Sequence, residues 1–182
     1  MAHHIFVVAT GGKLHLAPIS NNPQRILDIG TGTGIWAMEM VDDVEKRWMY
    51  NEPFDYIHCR SMSKSIGDWP NLIRQCYKFT KPHGYVEFQD IDLQYHSHDN
   101  SLLPTHSLHR WNADLIKAAN IAGREPSPGP KLEGWIRAAG FQNVVHEMFV
   151  LPLGPWPKEP KLVGYPMYFG RVALDGDVLT EF

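Results

Sequence analysis

The chain has 182 residues, of which 43% are hydrophobic and 20% are charged, and its formal net charge is −3. This length predicts one domain, and the composition excludes a collagen-like or wholly disordered chain. The small negative charge disfavours nucleic-acid binding, because no excess of Lys and Arg exists to neutralise phosphates. The two cysteines exclude a disulfide framework and indicate reduced thiols.

The apolar runs are about five residues long, far short of the ~20 that span a bilayer. No basic segment followed by an apolar segment opens the chain, so no secretory signal is expected. We therefore expect an intracellular protein, cytoplasmic or nuclear, that does not act in a membrane.

The first third of the chain predicts an arm and two strands. Residues 1–20 indicate an arm or short helix followed by a turn. The apolar run at residues 25–29 is typical of a buried parallel strand, and a helix is expected to begin near Thr33. Residues 54–59 predict a second strand.

The rest of the chain predicts three helices and two further strands. Asp68 is a candidate helix cap with Pro70 in the first turn, and the next apolar residues lie at helical spacing. That helix is expected to end at the turn 81–84. The later elements are a strand at 85–90, helices at 105–122 and 131–139, and a strand at 144–151. This alternation indicates an α/β fold with a mainly parallel sheet.

A glycine loop after the first strand is the most informative segment. Gly30, Gly32 and Gly34 stand at alternate positions, and Asp28 precedes them. Glycine lets the backbone turn tightly and approach a ligand, and a following helix adds unpaired N–H groups. A dinucleotide loop needs its third glycine at the position of Ile35, so this spacing argues against a nicotinamide-dependent oxidoreductase. A carboxylate at position 28 suits a ligand that carries an ammonium group better than it suits a phosphate.

This loop resembles motif I of the class I S-adenosylmethionine-dependent methyltransferases, and further blocks resemble the fungal LaeA-like members of that family. The resemblance covers roughly residues 10–160 with gaps and is carried by an ordered set of segments. These are residues 14–19, 25–37, 54–60, 67–70, 81–90, 123–126, 129–135 and 151–157.

The resemblance implies S-adenosyl-L-methionine as the cofactor. The cofactor-binding residues that it implies are Asp28, Gly30, Thr31, Gly32, Thr33, Gly34, Asp42, Asp43 and His58. Open α/β sheets bind ligands at the carboxyl ends of their strands, so His58, Arg60 and Glu87 are the catalytic candidates, with Gln89 and Asp90 beside them. Structural hydrogen bonding is the alternative interpretation of each. A metal site at His96, His98, His106 and His109 has no second signature, so no metal is expected.

The chain is too short for a complete domain of this family. Only 19 residues separate Gly34 from Phe54, and a helix of ~11 residues with its loops consumes most of them. We therefore expect a reduced Rossmann-like sheet that lacks the second and third strands. The absent segment is about 30 residues long, which is consistent with one βαβ unit. The ribose-binding carboxylate of the family is lost with them. Glu45 and Glu52 are possible substitutes, although the spacing supports neither.

The predicted organisation is an N-terminal arm at 1–20, a reduced methyltransferase domain at 21–162 and a divergent tail at 163–182. The tail contains a possible last strand at 165–171. The predicted function is transfer of a methyl group to a small-molecule or protein acceptor in fungal secondary metabolism. The alternative is a non-catalytic, truncated homologue that acts through protein contacts or is inert. A deletion in the middle of a sheet leaves hydrophobic edges, so we also predict poor stability or self-association.

Overall fold

The computed structural model describes residues 2–30, 44–95, 97, 102–150 and 168–176. Within them lies a five-stranded sheet in the order β1-β2-β3-β5-β4. The first three strands are parallel, and β5 pairs antiparallel with both β3 and β4. The strands are β1 (Ile26–Ile29), β2 (Phe54–Arg60), β3 (Thr80–Asp92), β4 (Gln142–Val150) and β5 (Tyr168–Gly176).

Four helices lie in the part of the chain that the structure describes: α1 (Ala2–Ala9), α2 (Trp69–Lys78), α3 (Ser107–Ile121) and α4 (Gly129–Ala138). The start of α2 confirms the sequence prediction, because Asp68 Oδ1 accepts a hydrogen bond of 2.9 Å from the Asn71 N–H and Pro70 lies in the first turn. This bond satisfies one of the N–H groups that a helix leaves unpaired at its start.

The two faces of the sheet differ in chemistry because successive strand residues point to opposite sides. On one face, Ile57 and Cys59 of β2 and Val86 and Phe88 of β3 are buried. They form the main core with four residues of α2 and two of α4, namely Trp69, Leu72, Ile73, Cys76, Leu132 and Ile136. The opposite face carries polar side chains and is covered by the N-terminal arm.

The expected loss of the second and third strands is confirmed in the described ranges. In the Rossmann order, strands 2 and 3 lie outside strand 1. Here β1 is the outermost strand of the sheet in the described ranges, and its next neighbour in the chain, β2, is also its neighbour in space. The sheet is therefore reduced at one edge, and the strands that remain keep their relative order.

Several boundaries differ from the sequence prediction. The turn expected at 81–84 is part of β3, and α2 ends earlier, at Lys78. The reason is local, because Thr80 Oγ1 bonds to the Cys76 carbonyl at 2.6 Å and Thr80 already pairs with Phe54 of β2. His83, with a φ of 61°, absorbs the change in direction inside this long strand.

The other elements shift by smaller amounts. The helix expected at 105–122 is Ser107–Ile121, the one at 131–139 is Gly129–Ala138, and the strand at 144–151 is Gln142–Val150. The last strand, expected at 165–171, lies at Tyr168–Gly176 and pairs between β3 and β4. The helix expected near Thr33 lies outside the described residues, and the domain boundaries remain predictions.

Candidate functional site

A line of three ionisable side chains crosses the polar face near the carboxyl ends of β1 and β2. Asp28 of β1 is opposite His58 of β2, and His58 is opposite Glu87 of β3. Residues directly opposite each other in a sheet share a face. We call Asp28, His58 and Glu87 the polar row.

Asp28 and His58 form a hydrogen-bonded pair. His58 Nδ1 lies 2.7 Å from Asp28 Oδ1, and the Asp28 side chain is 43% exposed whereas that of His58 is 10% exposed. An ionised carboxylate only accepts hydrogen bonds, so Nδ1 carries the proton and donates it. This arrangement leaves Nε2 of a neutral His58 as an acceptor. Nε2 is buried and has no hydrogen-bond partner among the described residues.

Glu87 is fully buried and holds the N-terminal arm against the sheet. Its carboxylate accepts hydrogen bonds from the Leu16 N–H at 3.0 Å and the Ala17 N–H at 2.9 Å. The Tyr56 hydroxyl donates to it at 3.0 Å, and Gln89 Nε2 donates at 2.6 Å. Four donors from three parts of the chain therefore converge on one buried carboxylate.

These bonds decide the protonation of Glu87. Burial raises the pKa of its carboxyl, but the hydrogen bonds from Ala17, Leu16, Gln89 and Tyr56 together lower that pKa further, so the net shift is downward. A carboxylate that is stabilised in its ionised form is a weak proton acceptor. The structure places Glu87 as an anchor of the arm, and its catalytic role stays a prediction.

Asp90 organises the loop that follows β2. Its buried carboxylate accepts hydrogen bonds from the Met62 N–H at 2.6 Å, the Ser63 N–H at 3.0 Å and its neighbour Ile91 at 2.8 Å. Burial raises the pKa of the Asp90 carboxyl to about 6, although these hydrogen bonds oppose the rise. Ser61, in the same loop, has a φ of 57°, which a non-glycine residue adopts only when its surroundings impose it.

Gly30 is fixed by that loop. Its φ is +89°, and a Cβ added here would lie 2.7 Å from Met62 Sδ and 2.8 Å from the Arg60 carbonyl oxygen. The close approach that requires glycine at this position is therefore to the end of β2 and its loop. Sequence reasoning had assigned this requirement to a ligand, and the structure adds a second, structural reason for it.

The other predicted cofactor residues, Thr31, Gly32, Thr33, Gly34, Asp42 and Asp43, lie outside the described residues. Of the other candidates, the Arg60 guanidinium lies 5.4 Å from the ring centre of Phe6 in α1, so it faces the arm. His15 Nδ1 lies 3.0 Å from the Ala17 carbonyl oxygen, so this ring bonds within its own turn.

Neither proposed substitute for the ribose carboxylate is available at the polar row. Glu45 Oε1 accepts hydrogen bonds from the Gly67 and Asp68 N–H groups at 2.8 and 2.7 Å, and its Oε2 pairs with Arg124 at 2.7 Å. Glu52 pairs with Arg25 at 3.2 Å, next to the amino end of β1 and away from the polar row.

An open cleft of about 510 Å³ lies along α3, beyond the carboxyl end of β3. Asn112 fixes this helix to the extension of β3, because its Nδ2 donates to the Leu93 carbonyl at 2.7 Å and its Oδ1 accepts from the Tyr95 N–H at 3.3 Å. The cleft is lined by Gln94, His109, Asn112, Ala113, Ile116, Lys117, Asn120 and Ile121. Over the described ranges, no group of three or more His, Cys, Asp or Glu side chains could hold a metal ion.

Sequence reasoning missed the functions of Glu45 and Glu87 as anchors. Both carboxylates bind backbone N–H groups that are distant in the chain, 22 residues away for Glu45 and 70 for Glu87. No local pattern signals such a bond. The one available signal was a charged residue in an apolar strand, which predicts a buried partner without naming it.

A family model described as a methyltransferase domain matches residues 38–146, more than half of the chain. Methyltransferase pytC of Aspergillus terreus is 38% identical, with 89% of this chain and 59% of pytC covered. The secondary metabolism regulator LAE1 of Cochliobolus heterostrophus is 31% identical, with 87% and 63% covered. The chain thus spans about three-fifths of the length of these curated relatives.

The pytC alignment also bears on the missing strands. It extends over 192 positions, more than the 182 residues of this chain, yet it includes only 89% of the chain, or about 162 residues. About 30 positions of the alignment therefore have no residue in this chain. That figure agrees with the loss predicted from the short interval between Gly34 and Phe54.

The fold is similar to solved methyltransferases. The structure of an S-adenosylmethionine-dependent methyltransferase from Thermotoga maritima, described as a possible histamine N-methyltransferase, matches with a TM-score of 0.56 at 14% identity. The match covers 96% of this chain and 87% of that one, and it shows the fold alone. The family match confirms the resemblance found in the sequence, and the chain belongs to the methyltransferase domain family.

Proposed function

We propose that this chain is a methyltransferase domain of fungal secondary metabolism that moves a methyl group from S-adenosylmethionine to a small-molecule or protein acceptor. The observation that carries the proposal is the half-exposed Asp28 carboxylate, which His58 orients beside Gly30 at the carboxyl end of β1. This is the end of an open α/β sheet at which ligands bind.

The described residues fit one half of the cofactor. Asp28 uses Oδ1 for His58, so its Oδ2 is the oxygen that we assign to the ammonium group of the methionine part. For the ribose, we find no carboxylate among the described residues near the polar row that is not already used, since Glu45 and Glu52 bind elsewhere. We therefore expect the methionine end to supply most of the binding energy.

The bound cofactor supplies an activated methyl group on a sulfonium, whose departing group is a neutral thioether. The chain supplies alignment and a site from which water is excluded. The arm that Glu87 holds over the polar face provides the exclusion, and Asp28 with His58 provides the orientation.

The second candidate function is a non-catalytic homologue that acts through protein contacts. The observations that favour it are the 30 alignment positions without a residue and the use of Glu45 and Glu52, the two predicted substitutes for the ribose carboxylate, in contacts away from the polar row. In this case the polar row is only a structural hydrogen-bond network.

Isothermal titration with S-adenosylhomocysteine, the reaction product, separates the two candidates. We expect binding by the wild-type chain and a loss of about 10- to 100-fold in affinity for Asp28→Asn, because a hydrogen bond to a charged group is removed. Glu52→Gln is the matched control and should bind as the wild type does. The fragment 5′-methylthioadenosine, which lacks the amino-acid part, should bind Asp28→Asn and wild type equally. Absence of heat with millimolar S-adenosylhomocysteine would favour the non-catalytic function.

The acceptor, partners and location are part of the same proposal. The acceptor is a small molecule or a protein; the cleft along α3 has the volume of a small-molecule site, and its lining residues are separate from the polar row. None of the helices in the described part of the chain combines the length and apolar character needed to cross a bilayer. We propose an intracellular location, cytoplasmic or nuclear.

We also propose self-association through the edge of β1, where Ile26 is 52% exposed. A monomeric profile in size-exclusion chromatography at all protein concentrations would contradict this proposal.

A further inference from the structure

We propose that His58 is the group that takes the proton from the methyl acceptor, and that the acceptor presents a hydroxyl group. This inference rests on the proposed function and extends it to the chemistry of the acceptor. It depends on the geometry of the Asp28–His58 pair and on the unpartnered ring nitrogen of His58.

Asp28 prepares His58 for this role. The bond of 2.7 Å between Asp28 Oδ1 and His58 Nδ1 holds the ring in one orientation and in one tautomer. A carboxylate in this position also stabilises the imidazolium that forms when the ring takes up a proton. The two ring nitrogens are separated by one carbon and point in different directions, so Nε2 is not used by the bond to Asp28 and has no partner among the described residues.

His58 Nε2 is one of a few buried polar atoms that have no hydrogen-bond partner in the described ranges, and it belongs to a side chain that can act as a base. The side chain of His58 is nine-tenths buried, and Nε2 has no hydrogen-bond partner in the described ranges. A buried polar atom without a partner is uncommon in native structures and calls for an explanation such as a catalytic role or an ordered water molecule. A hydroxyl group of an acceptor would provide the missing donor.

The other charged and titratable groups of this face are committed elsewhere. Glu87, the neighbour of His58 across the sheet, binds the arm, Gln89 and the Tyr56 hydroxyl. The Arg60 guanidinium stacks on Phe6, and His15 bonds within its own turn. Asp28 is therefore the ionised group that acts directly on the His58 ring.

The hydroxyl oxygen of the acceptor attacks the methyl carbon, the carbon–oxygen bond forms, and the carbon–sulfur bond breaks with its electron pair going to sulfur. The hydroxyl proton moves to His58 Nε2, which becomes an imidazolium paired with Asp28. The products are a methyl ether, S-adenosylhomocysteine and a proton that His58 later releases to water.

The need for a base identifies the class of acceptor. A thioether or a neutral amine attacks a methyl group through a free electron pair and needs no base at the moment of attack. An alcohol or phenol is a weak nucleophile until its proton leaves. A preoriented base therefore favours a hydroxyl acceptor.

Two substitutions of His58 separate a base from a structural residue. In His58→Asn the amide nitrogen takes the place of Nδ1, so the bond to Asp28 is kept and Nε2 is lost. In His58→Gln the amide reaches the place of Nε2, and the bond to Asp28 is lost. Neither amide is a base, so both variants should lose methyl transfer, whereas only His58→Gln should weaken binding of S-adenosylhomocysteine. His106→Gln, an exposed histidine ahead of α3, is the matched control.

The assay uses radiolabelled S-adenosylmethionine with two phenols at pH 8. With 4-cresol, which keeps its proton at this pH, His58→Asn should be slower than wild type by about 100-fold or more. With 4-nitrophenol, which is already ionised, no base is needed, and the same variant should retain the wild-type rate within about threefold. A structural defect would slow both reactions equally, so equal losses overturn the inference.

The remaining outcomes are also decisive. Wild-type chain that binds S-adenosylhomocysteine but methylates neither phenol overturns the hydroxyl acceptor while the proposed cofactor site stands. Absence of binding by the wild type overturns the proposed function itself. Circular dichroism and a thermal melt confirm that each variant is folded before it is assayed.

Discussion

The two faces of the same three parallel strands are stabilised by different means. On the face toward α2 and α4, apolar side chains such as Ile57 and Phe88 pack into a continuous core. On the face toward the arm, Asp28 and Glu87 are bound by specific partners at fixed distances. An apolar core tolerates approximate shape complementarity between its side chains, whereas polar and charged groups that are removed from water require their partners. The stability of the polar face therefore depends more on single residues than that of the apolar face does.

The largest expected effect breaks the apolar face. Trp69 is buried between Phe88 and Trp135, with ring centres 6.3 and 6.4 Å away, so Trp69→Ala should lower the free energy of unfolding by about 3–5 kcal/mol. Trp111→Ala is the control, because Trp111 is 55% exposed and should change stability by less than about 1 kcal/mol. Urea denaturation followed by circular dichroism measures both. An equal loss of unfolding free energy in the two variants would mean that α2 and α3 contribute equally to the core.

The second effect is the pH dependence that Asp90 gives to the free energy of unfolding. Its pKa is raised from 3.8 to about 6 in the folded state, so the folded chain binds more protons than the unfolded chain between these values. Stability from this group is therefore present below about pH 4 and is lost as the pH rises to about 6, by ~3 kcal/mol. The Asp90→Asn variant lacks this titration and also loses an acceptor for the loop after β2.

Denaturation midpoints of wild type and Asp90→Asn between pH 4 and pH 7.5 test this sign. The difference in stability between the two chains should shrink as the pH rises, because only the wild type loses the protonated form. A difference that grows with pH would mean that the hydrogen bonds of the loop outweigh burial.

The third effect tests the anchor of the arm. Glu87→Gln keeps the size of the side chain but replaces one acceptor oxygen with a donor, where every partner of the carboxylate is itself a donor. We therefore expect the free energy of unfolding to fall by about 1–3 kcal/mol. Hydrogen exchange at the Leu16 and Ala17 amides should accelerate more than exchange in α2. The pKa of Glu87 is lowered, so its contribution is present above its unfolded pKa of 4.5 and is lost as the pH falls through the lower folded value. Uniform acceleration along the chain would mean that the arm has no separate anchor.

The same contrast explains what the sequence could predict. The start of α2 was predictable because Asp68, Pro70 and the apolar spacing are local signals. The loss of the second and third strands followed from the family resemblance and from the 19 residues between Gly34 and Phe54, whereas the position of β5 between β3 and β4 was not predicted. The partner of Glu87 was not predictable, because it lies 70 residues earlier in the arm and no rule of spacing connects the two.

Gly30 shows a partial success. A tight turn and a close approach at Gly30 were expected from the glycine pattern, but the atoms that exclude a side chain are Met62 Sδ and the Arg60 carbonyl oxygen. Those contacts arise only after β2 has paired with β1 and Asp90 has fixed the following loop. A pattern in one segment cannot indicate which distant segment will approach it.

The position of Glu45 has a consequence for how such a domain changes in length. The Glu45 carboxylate accepts hydrogen bonds from the Gly67 and Asp68 N–H groups just before α2, and Gly30 is packed against the loop after β2. The two residues are thus each fixed by contacts with the segment between β2 and α2. We expect insertions between Gly30 and Glu45 to be accepted because the contacts that hold these two residues lie outside the inserted segment, whereas insertions within α2 should disrupt the main core.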